Sequence, residues 1–229
     1  MRFTENHKMG DVISDQYRLL LLLSRFGIPL GFGDKTVKNV CADNGVDVKT
    51  FLAVANYVST GDNTIFRDID MRAMVKFLKL SHQYYIDFLF PELRIKLSNI
   101  VADTPDHKIG ELTIKLFDSY VSEVRKHLEY ESRVVFGYAE RLMTGESEGM
   151  DFDLESFIHQ HENIDSKLTE LKSIMIKYYP AGDMLRSVNQ VLFDIFTCEE
   201  DLMSHCDIED NLFIPAVIDL ENRERRGHE

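Results

Sequence analysis

Residues 191–217 read VLFDIFTCEEDLMSHCDIEDNLFIPAV. Val191, Ile195, Cys198, Leu202, His205, Glu209, Leu212 and Ala216 advance in alternating steps of four and three. That is the inward stripe of a long bundle helix, because residues three and four apart share one face. His205 and Glu209 interrupt an otherwise apolar seam. One turn apart on the same face, they offer a nitrogen and an oxygen to one point in space.

Working back along the chain, the pattern recurs. Leu116, Tyr120, Val124, His127, Glu131, Val134 and Tyr138 form a second stripe with the same His-x-x-x-Glu spacing. His82 falls in Val75, Leu78, His82, Ile86, Leu89, Leu93, and His161 in Phe157, Ile158, His161, Ile164, Leu168, Leu171. Breaks at Thr104-Pro105, Gly145 to Gly149 and Pro180-Ala181-Gly182 bound four long helices, near 71–103, 107–143, 152–179 and 183–221. Short breaks between long amphipathic helices imply antiparallel neighbours, hence an all-α, up-down-up-down four-helix bundle over 71–223. Residues 61–70 read as a polar linker. Before it, residues 1–60 read as a small helical domain with helices near 12–26, 35–44 and 47–58. Asp47 is the N-cap of the last, and Phe26 to Gly33 is a turn-rich break.

A lone histidine in a core is ordinarily a hydrogen-bonded core residue. A core glutamate is rarer, because an unpaired buried carboxylate costs several kcal/mol. Six polar groups in one interior must pair with each other or hold a metal. Their levels agree. His82 stands 22 residues before Thr104, and His127 and Glu131 stand 20 and 24 after His107. His161 stands 18 before Tyr179, and His205 stands 22 after Asp183. His107 and Glu111 share the spacing, but His107 lies about 30 Å along the helix from His127 and reads as a first-turn surface residue. His159 falls on a polar face, and His7 and His228 are terminal. The candidate ligands are therefore His82, His127, Glu131, His161, His205 and Glu209. Six nitrogen and oxygen donors exceed the needs of one tetrahedral zinc. Two ions bridged by the glutamates use the set economically, with an open position for a small molecule such as dioxygen or nitric oxide. Iron is favoured; manganese and zinc fit the same donors.

Composition removes other classes. The chain has 229 residues, 44% of them hydrophobic, and a net charge of −13, which phosphate backbones would repel, so nucleic acid is not the expected partner. No apolar run approaches the roughly 20 residues of a membrane span, and the first residues lack a signal peptide's pattern; a cytoplasmic protein is expected. The Arg223, Arg225, Arg226 tail reads as a solvated helix end. Three cysteines, Cys41, Cys198 and Cys206, without CxxC, give neither a disulfide framework nor a thiolate zinc site. Cys41 and Cys198 read as small buried hydrophobes, and Tyr85, Tyr120, Tyr130 and Tyr138 as core residues with hydrogen-bonded hydroxyls. Leu19 to Leu23 buries the first helix against neighbours, or forms a patch for a homodimer.

His82, His127-Leu128-Glu129-Tyr130-Glu131, His161-Glu162 and His205-Cys206-Asp207-Ile208-Glu209, with Asn211-Leu212-Phe213-Ile214-Pro215 after them, resemble the hemerythrin-like, HHE cation-binding family over about 71–221. Met9-Gly10-Asp11-Val12, Phe26-Gly27-Ile28-Pro29 and Gly31-Phe32-Gly33-Asp34-Lys35-Thr36 look like the N-terminal domain of the iron–sulfur cluster repair di-iron proteins, also called regulators of cell morphogenesis and nitric oxide signalling. The resemblance implies an oxo- or hydroxo-bridged di-iron centre, recovery from oxidative or nitrosative stress, and iron–sulfur proteins as partners, in a metal-binding or repair protein more than a classical enzyme. Members of that family carry adjacent cysteines just after the Phe-Gly-Ile-like turn, whereas Pro29-Leu30-Gly31-Phe32 has none. The rival expectation is a hemerythrin-like sensor of dioxygen or nitric oxide, or an iron-binding module without repair activity. An oxidase-type di-iron enzyme fits less well, because a histidine-rich set differs from the carboxylate-rich oxidases.

Overall fold

The computed structural model describes residues 2–64, 68–102, 107–145, 166–179 and 185–227. Among them regular structure is helical, and extended pairing is limited to an isolated bridge between Lys8 and Thr36. The all-α expectation holds. The helices are α1 Met9–Asp15, α2 Leu19–Arg25, α3 Val37–Asp43, α4 Val48–Thr60, α5 Met71–Gln83, α6 Phe90–Ala102, α7 His107–Tyr130, α8 Phe136–Leu142, α9 Ser166–Tyr178, α10 Leu185–Ile208 and α11 Ile214–Gly227. The expected helix over 12–26 is two, because the polar Ser14-Asp15-Gln16 run favours a cap over helix interior and Gln16 leaves helical geometry at φ −137°, ψ 83°. Of the helix expected over 152–179, residues 152–165 lie outside the described residues.

Among the described residues, three of the expected long helices contain a wide turn: Tyr84–Leu89 joins α5 to α6, Glu131–Val135 joins α7 to α8, and Glu209–Phe213 joins α10 to α11. Each is π-helical. A π turn carries an extra residue and is found mostly as a single-turn bulge, frequently at functional sites.

The chain divides into two compact units, residues 1–81, 134–152 and 204–229 in one and 82–133 and 153–203 in the other. In the second, four helices share a core. Tyr85, Phe90, Leu93 and Leu97 meet Phe117, Tyr120 and Val124 of α7, Leu168, Leu171 and Met175 of α9, and Val191, Ile195, Cys198 and Leu202 of α10. Ion pairs mark each adjacent pair around the bundle: Arg94 with Asp118, Lys167 with Glu123, Lys172 with Glu199, and Lys96 with Asp194. Such surface pairs are worth little energy each, but they fix which helices are neighbours. Val101 on α6 and Gly110 on α7 approach closely: a Cβ on Gly110 would lie 2.7 Å from Val101 Cγ1.

In the first unit, Phe26 packs edge-on to Phe51 at 5.3 Å and stacks on Phe77 at 4.5 Å, joining the N-terminal helices to α5. Gly27 (φ 71°) closes α2, letting Ile28 N–H reach the Leu23 carbonyl at 2.8 Å, a Schellman ending that needs the left-handed conformation. Asp47 caps α4 as expected, its carboxylate accepting from Thr50 N–H at 2.7 Å. Buried Asn56 accepts from Phe3 N–H at 2.6 Å and donates to the Phe3 carbonyl at 3.0 Å, pinning the start of the chain. Within Leu19 to Leu23, Leu19, Leu22 and Leu23 are buried and Leu20 is exposed, so the leucine run chiefly serves the core.

Candidate metal centre

The last turn of α7 begins at His127 and leads into Glu131. Four residues of rise bring His127 Nε2 to 2.9 Å from Glu131 Oε1. The other carboxylate oxygen, Oε2, faces His82 Nε2 at 3.4 Å. Glu131 is wholly buried, and His82 is 3% exposed. One carboxylate thus addresses two imidazoles, one with each oxygen. On α10 and the wide turn after it, His205 Nε2 lies 3.4 Å from Glu209 Oε1, both side chains inaccessible. The i, i+4 geometry read from the sequence is realised in both pairs. Among the described residues, the buried candidates for holding a metal ion are His82 and Glu131 in the second unit and His205 and Glu209 in the first. His127 accompanies them through Glu131, and His161 lies outside the described residues. His107 is exposed at the first turn of α7, as expected.

Burial pushes the imidazole of His82 down to about 4, against the opposing pull of the Glu131 carboxylate. The ring is therefore neutral near pH 7, the state in which an imidazole keeps a lone pair for a metal. Its other nitrogen, Nδ1, lies 2.8 Å from Ser132 Oγ. Ser132 escaped the sequence reading, since it is off the apolar stripe and serine carries no ligand signature.

Two of the wide turns start on a candidate carboxylate, Glu131 and Glu209, and the third starts two residues after His82. Their extra residue also corrects the stripes. Ile86 and Leu89, expected in the core, are only partly buried; Tyr85 and Phe90, five apart, take those places. Likewise Val135 replaces Val134. Well before that turn, Phe117 is buried where Leu116 was expected, because a regular helix drifts slowly off an alternating three-and-four spacing. The eight-residue stripe from Val191 to Ala216 is buried throughout. Tyr85, Tyr120 and Tyr138 are core residues, and the Tyr85 hydroxyl donates to the Asp201 carbonyl at 3.1 Å. Cys41 and Cys198 are buried, and desolvation pushes the Cys41 thiol up to about 12.

An all-helical bundle that buries imidazoles against carboxylates defines a cation-binding helical protein. Residues 73–217 match the family described as the hemerythrin HHE cation binding domain, and the chain belongs to that family. No curated protein and no solved structure matches the chain. Family and buried His/Glu group together point to a metal site. The donors fit one. Imidazoles and carboxylates suit zinc, iron and manganese, and a buried carboxylate with one oxygen toward each of two imidazoles is placed as ligands to an ion would be. No helix among the described residues is long and apolar enough to cross a membrane.

Proposed function

We propose that the protein is a non-haem di-iron-binding protein whose ligands are His82, His127, Glu131, His161, His205 and Glu209, and that it serves in repair of iron–sulfur clusters damaged by oxidative or nitrosative stress. In this reading residues 1–60 form a small helical domain, 61–70 a linker, and 71–223 the metal-binding bundle. The observation that carries the metal assignment is Glu131: buried, with Oε1 toward His127 and Oε2 toward His82. A carboxylate presenting its two oxygens to two imidazoles suits a pair of ions better than one. His205 and Glu209 supply a second nitrogen–oxygen pair of the same kind. Bound iron would supply redox chemistry and an open position for dioxygen or nitric oxide. The chain's own part is to keep the His82 imidazole neutral, aim its carboxylates and exclude bulk water from the donors.

A second reading, a dioxygen or nitric oxide sensor without repair activity, is favoured by the thiols. Residues 27–33 hold no cysteine, and Cys41 is buried with its thiol pushed up to about 12. A protonated, inaccessible thiol neither attacks nor binds metal.

The two are separated by one iron-loaded preparation. Reactivation of an oxidatively inactivated iron–sulfur enzyme, abolished by Glu131→Ala, supports repair. A reversible optical change with oxygen or nitric oxide, without reactivation, supports sensing. Neither response in an iron-replete sample sinks both.

A further inference from the structure

The imidazole of His82 is gripped at both nitrogens by one helix. Glu131 Oε2 faces Nε2 at 3.4 Å, and the very next residue places Ser132 Oγ 2.8 Å from Nδ1. Neighbouring residues on a regular helix diverge by about 100°. Here both reach one ring, and both belong to the π turn Glu131–Val135. Each ring nitrogen thus has its own neighbour on one element, and the hydroxyl at Nδ1 can hold the ring with Nε2 turned toward Glu131.

We infer that Ser132 is a positioning residue for the metal centre: its hydroxyl, at Nδ1, holds the His82 ring so that Nε2 is turned toward Glu131 and toward an ion between them. The inference rests on the metal reading of this site but can be tested without a metal. Groups that accept from a ligating histidine's second nitrogen fix its tautomer and raise its strength as a ligand, and losing one typically weakens metal binding 10–100-fold.

The test uses the full-length chain. In metal-free, 15N-labelled protein at pH 7.5, long-range proton–nitrogen correlation reads the two ring nitrogens of His82, assigned by their loss in His82→Gln. Ser132→Ala should shift the Nδ1 resonance and weaken zinc binding, measured against a chromophoric chelator, by about 10–100-fold. Ser132→Thr, which keeps the hydroxyl, should restore both. An Nδ1 resonance unmoved in Ser132→Ala, or an unchanged zinc affinity, would overturn the inference. A resonance that responds as expected in a chain that binds neither zinc nor iron leaves the positioning intact and sinks the proposed metal function instead.

Discussion

Lowering the pH of the metal-free protein should destabilise it through His82. In the unfolded chain the imidazole titrates near 6.5, and in the fold burial takes it down to about 4. The unfolded state therefore binds this proton more readily, and stability falls as pH drops through the window between those values. Above about 6.5 the contribution is complete; below about 4 it has gone. At about 1.4 kcal/mol for each pH unit the whole effect is roughly 3 kcal/mol, of which about 2 kcal/mol is lost between pH 7.5 and 5. The assay is urea unfolding across that range with chelator present, on wild type and His82→Gln. Other groups titrate there too, so the decisive quantity is the difference in slope. Wild type should lose about one proton's worth more stability per pH unit than the variant. Parallel pH profiles for the two proteins would show that His82 is not held neutral by its surroundings, and the account of its burial would be wrong.

Packing sets three further outcomes. Gly110→Ala forces a methyl to within 2.7 Å of Val101 Cγ1 and should cost about 1–3 kcal/mol in thermal or urea unfolding; adding Val101→Ala should recover most of it. Phe77→Ala should cost about 3–5 kcal/mol and, paired with Phe26→Ala, less than the sum, because the two rings stack at 4.5 Å; a double-mutant cycle reads the coupling. Asn56→Ala should free the segment around Phe3 by removing two buried hydrogen bonds, seen as loss of amide-exchange protection there at a stability cost of about 2 kcal/mol.

How much of the fold and site was legible in the sequence depends on the local helix type. Residues 191–217 showed their whole stripe correctly, since the wide turn there starts at Glu209, after most of the seam, and Leu212 and Ala216 stay buried beyond it. Both His-x-x-x-Glu pairs were legible because the four-residue step is completed before either wide turn takes effect. On the first long helix Tyr85 and Phe90, at the two ends of the wide turn Tyr84–Leu89, take the core places expected of Ile86 and Leu89, while Leu93 beyond it is buried as expected. Hydrophobic periodicity assumes one residue spacing throughout, so it cannot announce a π turn; the five-residue step between two aromatics was the available hint. Ser132 was invisible because it lies off the apolar stripe and a serine carries no ligand signature. The split between α1 and α2 was hidden because Val12 and Leu19, two turns apart, also fit one continuous helix.

The most direct test of the central claim is metal content. After anaerobic reconstitution with ferrous iron and removal of loosely bound ions, elemental analysis should find close to two irons per chain. His205→Ala with Glu209→Ala should abolish retention, while His159→Ala should leave it unchanged. Less than one iron per wild-type chain would contradict the di-iron centre, and a double variant that retains iron would contradict the assignment of its ligands.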